Sequence, residues 1–197
     1  MFRKIKNFIY KKIFNFIADL EEFEEKKKWW QFTSNPNINI HESFKKKETN
    51  IFKGNGVLYG DISIGEGFSL RDYCNILVYP NAKLTIGKRV FFNNFCSVNC
   101  LESIEIGDDT LFGEGVKLYD HNHLIIKNTN INVSKDQFST APIIIGKNCW
   151  LGSNVIVLKG VTIGDNCIVG ANCIIHKSIP DNTIVKNNQN HILETLV

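Results

Sequence analysis

The sequence is poor in the residues and runs that mark fibrous, disordered, membrane-spanning or secreted chains. Its 197 residues include only 4 prolines and 14 glycines, which excludes collagen-like and Pro/Gly-rich low-complexity proteins. No apolar run approaches the roughly 18 residues needed to span a bilayer, and no small-residue cleavage site follows the basic N-terminus. Because 43% of the residues are hydrophobic and 22% are charged, we expect a folded chain with a real core and no secretory signal.

Charge and cysteine spacing exclude two further classes. A net charge of +3 is too mild to argue on its own for nucleic-acid binding, which needs a concentrated basic patch, so we expect no nucleic-acid partner. The six cysteines include no CxxC pair, and their spacings fit neither a metal site nor a disulfide framework. The sequence therefore predicts a reducing compartment, the cytoplasm.

A repeat of six residues runs through the chain from about residue 57. Each hexad starts with an aliphatic residue, often followed by Gly. The clearest starts are Ile64-Gly65, Ile86-Gly87, Ile106-Gly107, Ile145-Gly146 and Ile163-Gly164. A period of six does not fit an α-helix, whose apolar stripe recurs at about 3.6 residues. It predicts short strands separated by bends, three per turn, stacked as a triangular parallel β-helix, with Gly giving the backbone freedom to bend.

The fifth position of each hexad is also expected to point into this prism. Small or medium residues occupy it. They are Cys74, Val90, Cys96, Thr110, Val116, Cys149, Val155, Val161, Cys167 and Cys173. Five of the six cysteines thus share one structural role, and we expect them to act as small buried hydrophobic residues rather than as metal ligands or redox groups.

These hexads resemble those of the hexapeptide-repeat acyltransferases, over roughly residues 57–185. The sharpest run is Ile163-Gly164-Asp165-Asn166-Cys167-Ile168-Val169-Gly170-Ala171. The resemblance implies an all-β fold: a left-handed parallel β-helix of hexapeptide repeats with an N-terminal helical extension and one projecting loop. We expect an extension and lead-in over residues 1–50, an acetyltransferase domain over 51–185 and a tail over 186–197. The repeats are less specific for activity, because carbonic anhydrases and purely structural proteins share them.

The repeat is interrupted once, between Leu118 and Ile143. The interruption opens with Tyr119-Asp120-His121-Asn122-His123 and continues as a polar stretch to Pro142. A solenoid excludes insertions from its stacked faces, so residues 119–142 are expected to project as a loop, and projecting loops on rigid scaffolds often carry function.

The loop and the hexads after it are similar to the branch of the family that contains maltose, galactoside and xenobiotic acetyltransferases and many capsule and lipopolysaccharide O-acetyltransferases. In that branch a loop His is the general base for attack of an acceptor hydroxyl on the thioester of acetyl-CoA. The resemblance places the base at His123 and keeps His121 as the second candidate. Asp120 or a backbone carbonyl is expected to orient the working imidazole.

Further site residues are carried over by the resemblance alone. Asn93 matches a residue at the acceptor end of the site, although an Asn that stabilises a bend explains it equally well. We group Asp120 with Asn93 on the substrate side. Residues matching the acetyl-CoA channel are Trp150, Ser153, Ala171, His176 and Lys177. Residues 184–191 depart from the family pattern, because they lack the Gly, Pro and Arg expected near the nucleotide end of CoA.

The first residues have a different character. Phe2, Ile5, Ile9 and the later apolar residues up to Phe23 follow helical spacing, with Lys and Arg between them. Two interpretations stay open: a helix packed on the β-helix or a neighbouring subunit, and an interfacial helix over residues 1–23 at the inner face of a membrane. Residues 31–56 are expected to be an irregular lead-in with one or two strands.

Taken together, these features predict an acetyl-CoA-dependent O-acetyltransferase acting on a sugar hydroxyl, most simply of a capsular or other surface polysaccharide. The resemblance implies a homotrimer with sites between subunits, acetyl-CoA and a saccharide as ligands, and no metal. A non-catalytic interaction protein is one alternative, and N-acetylation is a variant. A zinc carbonic anhydrase would need three convergent His, and His176 lies about three coils from His121 and His123.

Overall fold

The computed structural model describes residues 36–43, 60–127 and 131–188, together with 10–17, 19, 20, 23, 27 and 34. The chain forms two compact units, Met1–Ile38 and Asn39–Val197. In the first unit, residues 10–17, 19 and 20 are helical, as the apolar spacing predicts. Phe2, Ile5 and Ile9 lie outside the described residues. Apolar side chains on the helical segment are exposed within the chain, among them Tyr10, Phe14 and Phe16.

Nineteen strands are found in the described residues, most of them two to four residues long. The lead-in contains β1 (Ile38–Ile40). Three turns follow, formed by β2 (Asp61–Ile64), β3 (Ser69–Leu70) and β4 (Asn75–Val78); β5 (Lys83–Ile86), β6 (Phe91–Phe92) and β7 (Ser97–Cys100); and β8 (Ser103–Ile106), β9 (Leu111–Phe112) and β10 (Lys117–Tyr119). A hairpin of β11 (His121–Lys127) and β12 (Ile131–Thr140) interrupts them. The remaining turns contain β13 (Ile143–Ile145), β14 (Trp150–Leu151) and β15 (Ile156–Leu158); β16 (Thr162–Ile163), β17 (Ile168–Val169) and β18 (Ile174–Ile175); and finally β19 (Ile184–Val185).

The strands stack into three parallel sheets, the faces of a triangular prism. Face 1 has the order β1-β2-β5-β8-β13-β16, face 2 has β3-β6-β9-β14-β17-β19, and face 3 has β4-β7-β10-β15-β18. Each hexad start pairs with the start one turn away, as Ile86 does with Ile106 and Ile106 with Ile145. About five turns are present, and the predicted left-handed β-helix of hexapeptide repeats is confirmed.

Both predicted inward columns form the core. The aliphatic starts Ile86, Ile106, Ile145 and Ile163 are at most 1% exposed. The ten fifth-position residues from Cys74 to Cys173 are also buried, and all six cysteines are free thiols. Burying an Ile or Val side chain contributes roughly 1.5–3 kcal/mol, so the stacked columns are the main source of stability.

The three corners of the prism differ in how much extra chain they accept. Corner 1–2, between faces 1 and 2, and corner 2–3 have four residues between consecutive strands in every complete turn. Corner 3–1 varies, with four residues after β4, two after β7, three after β15, and residues 120–142 after β10. The hexad starts of the first turns are therefore further apart than the later ones, because face 3 and corner 3–1 contain additional residues in those turns.

The glycines after the hexad starts have a different role from the one predicted. They do not have a left-handed φ. Instead, a Cβ built on Gly107 would lie 2.6 Å from the carbonyl carbon of Gly146 in the next turn. The left-handed conformation occurs two residues later, at Asp109 (φ 59°) and Asn148 (φ 53°). Gly is needed because neighbouring backbones approach closely, and the bend itself uses the left-handed residue two positions later.

Candidate active site

The interruption in the repeat is an antiparallel β-hairpin at corner 3–1 of the third turn. β11 pairs with β12, and His121 lies opposite Thr140 in the register. At the base of the hairpin, the N–H of Ala141 donates to the carbonyl of Asp120 at 2.9 Å. The predicted insertion does project from the stack, but Tyr119 still belongs to β10 on face 3, so the hairpin starts after it and is closed at the point where it leaves the prism.

Asp120 anchors the base of this hairpin. Its side chain is completely buried, and its carboxylate oxygens accept hydrogen bonds from the backbone N–H groups of Leu101, Glu102 and Ser103 at 2.8–3.0 Å. A buried carboxylate is costly unless such donors satisfy it. The residue grouped with the substrate is thus enclosed by the corner of the preceding turn, where its direct partners are backbone groups and His121.

A wide bulge in the hairpin holds His123. Between the pairs His123–Phe138 and Ile125–Val133, a single residue of β11 faces the four residues 134–137 of β12. The extra chain brings the carbonyl of Ser134 to 2.9 Å from Nδ1 of the His123 ring. Because a carbonyl only accepts, this contact requires the proton on Nδ1 and leaves the Nε2 lone pair available on an exposed side chain.

His121 has a more enclosed position. Its side chain is 16% exposed, and its Nδ1 lies 3.4 Å from Oδ1 of Asp120. That distance is long for a charge-assisted hydrogen bond, and the carboxylate already accepts three backbone donors. The structure thus supplies both predicted orienting groups, the carboxylate next to His121 and a backbone carbonyl next to His123.

The ring of Phe138 contacts both imidazoles. Its ring centroid lies 5.4 Å from that of His121 and 4.8 Å from that of His123. On the other side, Tyr79 of the first turn contacts Phe138 edge-on at 6.2 Å. Phe138 is not among the predicted site residues, because the bulge shifts the pairing of β11 with β12 and periodicity does not reveal that shift.

Lys159 connects the hairpin to the fourth turn. Its ammonium group donates to the carbonyl of Ser139 at 3.1 Å and to the Ser139 hydroxyl at 2.7 Å. These two bonds fix the last residues of β12 directly beside Phe138. Lys159 is therefore a candidate positioning residue for the histidine cluster.

Two of the five residues expected along the acetyl-CoA channel lie at corner 2–3, and a third lies beside it. Ser153 and Ala171 occupy this corner in the fourth and fifth turns, and Asn93 occupies it in the second. Trp150 points outward from face 2 next to them and is 53% exposed. The side-chain oxygen of Asn93 accepts the N–H of Asn94 at 2.8 Å, a contact that also stabilises the bend.

The two remaining predicted residues lie elsewhere. His176 and Lys177 are exposed at corner 3–1 in the fifth turn, on the same corner as the hairpin. Within the chain, face 3 therefore separates them and the histidine pair from Trp150 and Ser153. The structure brings the predicted residues together as two sets on two corners rather than as one site.

Neither a metal centre nor a membrane span is present in the part of the chain that the structure describes. No group of three His, Cys, Asp or Glu side chains lies close enough to hold a metal ion there. None of the helical residues described forms a segment long and apolar enough to cross a membrane.

Known proteins from several organisms are similar to this chain. The family described as the hexapeptide repeat of succinyl-transferase matches residues 142–177. WbbJ of Escherichia coli K12, by name a lipopolysaccharide biosynthesis O-acetyl transferase, is 33% identical over 132 residues, which cover 64% of this chain and 67% of WbbJ. WcaF of the same organism, by name a colanic acid biosynthesis acetyltransferase, is 31% identical over 117 residues, covering 52% of this chain and 64% of WcaF.

A solved structure supports the fold. The N-acyltransferase AntD of Bacillus cereus, in complex with a dTDP-amino sugar and coenzyme A, superposes with a TM-score of 0.56 at 21% identity over 68% of this chain and 74% of AntD. From the hexad core, the hairpin and the identity to WbbJ, we conclude that the chain belongs to the hexapeptide-repeat acyltransferase family.

Proposed function

We propose that the protein transfers an acetyl group from acetyl-CoA to a hydroxyl of a surface saccharide, with His123 as the general base. The observation that carries the assignment of the base is the contact between Nδ1 of His123 and the carbonyl of Ser134 at 2.9 Å. It favours the tautomer in which Nε2 is a free acceptor on an exposed ring. The names of WbbJ and WcaF support a lipopolysaccharide or colanic acid saccharide as acceptor.

In the proposed reaction, Nε2 of His123 takes the proton of the acceptor hydroxyl as its oxygen attacks the thioester carbonyl carbon. The new C–O bond forms first, and the C–S bond breaks when the tetrahedral intermediate collapses. The imidazolium then returns its proton to the departing thiolate, so that the products are the acetyl ester and CoA. Asp120 acts on this step only through His121 and the base of the hairpin, as a positioning residue.

The proposed donor site uses Trp150, Ser153 and Ala171 of one subunit. Trp150 has apolar neighbours on face 2, Leu111 and Ile168, which are 47% and 38% exposed. Such an outward strip suits the pantetheine arm, and Lys177, on corner 3–1 of the adjacent subunit in the proposed assembly, supplies positive charge for phosphate groups. Asn187 occupies the tail where relatives carry basic residues, and its amide donates to the carbonyl of Asn172 at 2.9 Å.

A homotrimer is the proposed assembly. It is supported by the separation of the predicted residues on two corners of one prism, since a groove between two subunits would combine corner 2–3 of one with the hairpin of the next. Mixing His123→Ala subunits with Trp150→Ala subunits tests this arrangement. Recovery of activity in the mixture supports a shared site, whereas two inactive variants that stay inactive as a verified mixed oligomer contradict it.

Two finer proposals concern location and boundaries. We place the reaction in the cytoplasm, supported by six free thiols, and keep residues 1–23 as a candidate contact with the inner face of a membrane. We also retain residues 1–50, 51–185 and 186–197 as extension, transferase domain and tail.

Release of CoA thiol from acetyl-CoA, measured with de-O-acetylated colanic acid and lipopolysaccharide oligosaccharides as acceptors, tests the function. We expect acceptor-dependent release in the wild type, its loss in His123→Ala, and an unchanged rate in His41→Ala, an exposed histidine outside the site. Full activity of both His123→Ala and His121→Ala would overturn the assignment of a histidine base. Absence of turnover with every saccharide would favour a non-catalytic role.

A further inference from the structure

Two aromatic rings form an exposed stack at corner 2–3, in the first and second turns. Tyr73 and Phe95 lie with their ring centroids 5.1 Å apart and their planes 7° from parallel. Tyr73 is 73% exposed and Phe95 is 52% exposed, so the stack packs against little else in the chain. The corner is linked to a predicted acceptor residue, because the thiol of Cys74 donates to the carbonyl of Asn93 at 3.0 Å.

Both rings belong to residues with an unfavourable backbone conformation. The φ angles are 60° for Tyr73 and 62° for Phe95, in the left-handed region that bulky residues avoid. Other turns place Gly or Asn at this position of the corner, namely Gly115, Asn154 and Asn172. One stacked ring pair does not recover what two aromatic residues lose in this conformation, so stability gives no reason for both rings to be here.

The third turn adds no aromatic ring to the stack. There the position is held by Gly115, which has no side chain to continue the column above Phe95. A Cβ built on Gly115 would run into Oδ1 of Asn154, so the amide oxygen of the fourth turn lies directly over this glycine. An aromatic surface on the second turn and a hydrogen-bond acceptor over the third turn therefore follow one another along corner 2–3, and Asn154 is the neighbour of Ser153 in the proposed donor site.

We propose that Tyr73 and Phe95 form a platform for a saccharide chain, in which one sugar ring lies on Phe95 and bonds to Asn154. The C–H face of a pyranose packs on the electron-rich face of an aromatic ring, while the hydroxyls around its edge need polar partners. This inference rests on the proposed function. It adds that the acceptor is an oligosaccharide that extends from the reaction centre along corner 2–3, rather than a free monosaccharide.

The size of the patch favours a saccharide over a protein. A stable protein interface buries about 800 Å² on each partner, far more than two rings offer. The equivalent corner positions in the turns after Phe95 are Gly115 and two asparagines, so the surface of the corner becomes polar there. Arg71, whose guanidinium lies 5.7 Å from the ring centroid of Phe91, adds hydrogen-bond donors at the same corner.

The test replaces the rings by the residue that this backbone accepts elsewhere. Tyr73→Asn and Phe95→Asn, singly and together, remove the platform while keeping the left-handed bend. Binding is measured by titration calorimetry and ligand-observed NMR, without acetyl-CoA, using oligosaccharides from de-O-acetylated colanic acid and lipopolysaccharide. We expect Phe95→Asn to weaken binding about tenfold and the double variant to weaken it further, with an unchanged or higher melting temperature. Arg89→Asn is the matched control, because it has the same left-handed backbone (φ 54°) on corner 1–2 of the second turn.

Transfer kinetics separate this proposal from the function on which it rests. With the oligosaccharides, the double variant is expected to raise KM for the acceptor while kcat stays within about twofold. With methyl glycosides of single sugars, which do not reach the platform, the double variant and the wild type are expected to react at equal rates. Oligosaccharide binding that is equal in the wild type and the double variant, or absent in both, overturns the platform. Transfer to methyl glycosides that still depends on His123 would then leave the proposed function standing.

Discussion

Nδ1 of His123 lies 2.9 Å from the backbone carbonyl oxygen of Ser134, across a bulge that gives β12 four residues opposite one of β11. The orienting group is therefore part of the main chain, and no side-chain substitution removes it. The bulge has to keep its shape for His123, the proposed base, to keep its tautomer, and the N–H of Gln137 donates to the Ser134 hydroxyl at 3.1 Å within it. This dependence makes the hairpin, rather than a single partner residue, the unit that prepares the imidazole.

The first prediction separates the two histidines. His123→Ala is expected to lower kcat by about 100-fold to 10,000-fold, the usual contribution of a general base, with little change in KM for acetyl-CoA. His121→Ala should cost about tenfold or less, because His121 supports Phe138 and the hairpin base without donating or accepting the transferred proton. Steady-state kinetics on both variants, with circular dichroism to verify folding, give the comparison. A larger loss for His121→Ala than for His123→Ala would assign the base to His121 instead.

The hexads predicted the prism, its core columns and the site of the insertion, because each inward residue meets an equivalent residue one turn away. Ile106 is buried for the same reason as Ile86 and Ile145, so one rule covers the whole stack. The hairpin follows no such rule. Its pairing shifts at the bulge, and the contacts of Asp120 are with backbone groups, which leave no trace in residue types.

The backbone conformations of the corner residues are also only partly predictable from the sequence. The asparagines of the left-handed bends are readable, because Asn is one of the few residues that tolerate that region. Tyr73 and Phe95 also adopt the left-handed conformation, although aromatic residues disfavour it. A sequence pattern cannot predict a backbone conformation that its residues normally avoid. The separation of Trp150 from His123 was not predicted either, since the resemblance assigned both to one site without placing them on faces or corners of the prism.

We predict that Asp120 contributes more to the stability of the fold than to substrate binding. In Asp120→Asn, an amide oxygen at the position of Oδ2 still accepts from all three N–H groups, but the NH₂ group that replaces Oδ1 faces the N–H of Leu101, donor against donor, and the negative charge that strengthens these bonds is lost. We expect the free energy of unfolding to fall by about 1–3 kcal/mol, measured by urea denaturation.

The control for this change is Asp136→Asn, on the exposed part of the hairpin, which should leave stability within about 0.5 kcal/mol. If Asp120→Asn unfolds at the wild-type urea concentration and only KM for the acceptor rises, Asp120 contacts the substrate and its assignment as an anchor is wrong.

Lys159 gives a third prediction, on the attachment of the hairpin. Lys159→Met keeps the aliphatic stem and removes both bonds to Ser139, so β12 loses its tie to the fourth turn. We expect kcat to fall about tenfold while KM for acetyl-CoA stays within about twofold, and Ser139→Ala to reproduce part of the effect.

A different role for Lys159 would change a different constant. If its ammonium group instead bound a phosphate of CoA, Lys159→Met would raise KM for acetyl-CoA at constant kcat, and Ser139→Ala would have no effect. Exposed Lys147, at corner 1–2, is the matched lysine for a control substitution to Met.

The asparagine bends supply a fourth prediction. Asn166 has φ 57°, and its amide donates to Asn182 at 3.1 Å and accepts from Asn148 at 2.9 Å. Asn166→Ala places a Cβ in the left-handed region and breaks this ladder, so we expect a loss of about 1–2 kcal/mol. Asn166→Gly should recover most of it, since Gly adopts the conformation without cost. Equal destabilisation by Ala and Gly in thermal unfolding would assign the effect to the ladder alone.

The last prediction concerns stability at alkaline pH. Burial, followed by the nearby charge of Asp120, raises the pKa of the Cys100 thiol to about 12. In the unfolded chain the same thiol ionises at about 8.5. Between these two values the folded state holds the proton that the unfolded state has lost, so the stabilising contribution is complete below pH ~8.5 and declines as pH rises toward 12.

Urea denaturation of the wild type and Cys100→Ala at pH 7 and pH 10 measures this contribution. Cys100→Ala should be less stable at pH 7, because a buried side chain is removed, but its stability should fall by about 1–2 kcal/mol less than that of the wild type between the two pH values. The other buried thiols and the lysines titrate equally in both proteins, so the difference isolates Cys100. Parallel losses in the two proteins would mean that the Cys100 thiol ionises in the native state near its ordinary pKa, and that the corner around Asp120 admits more water than the buried geometry allows.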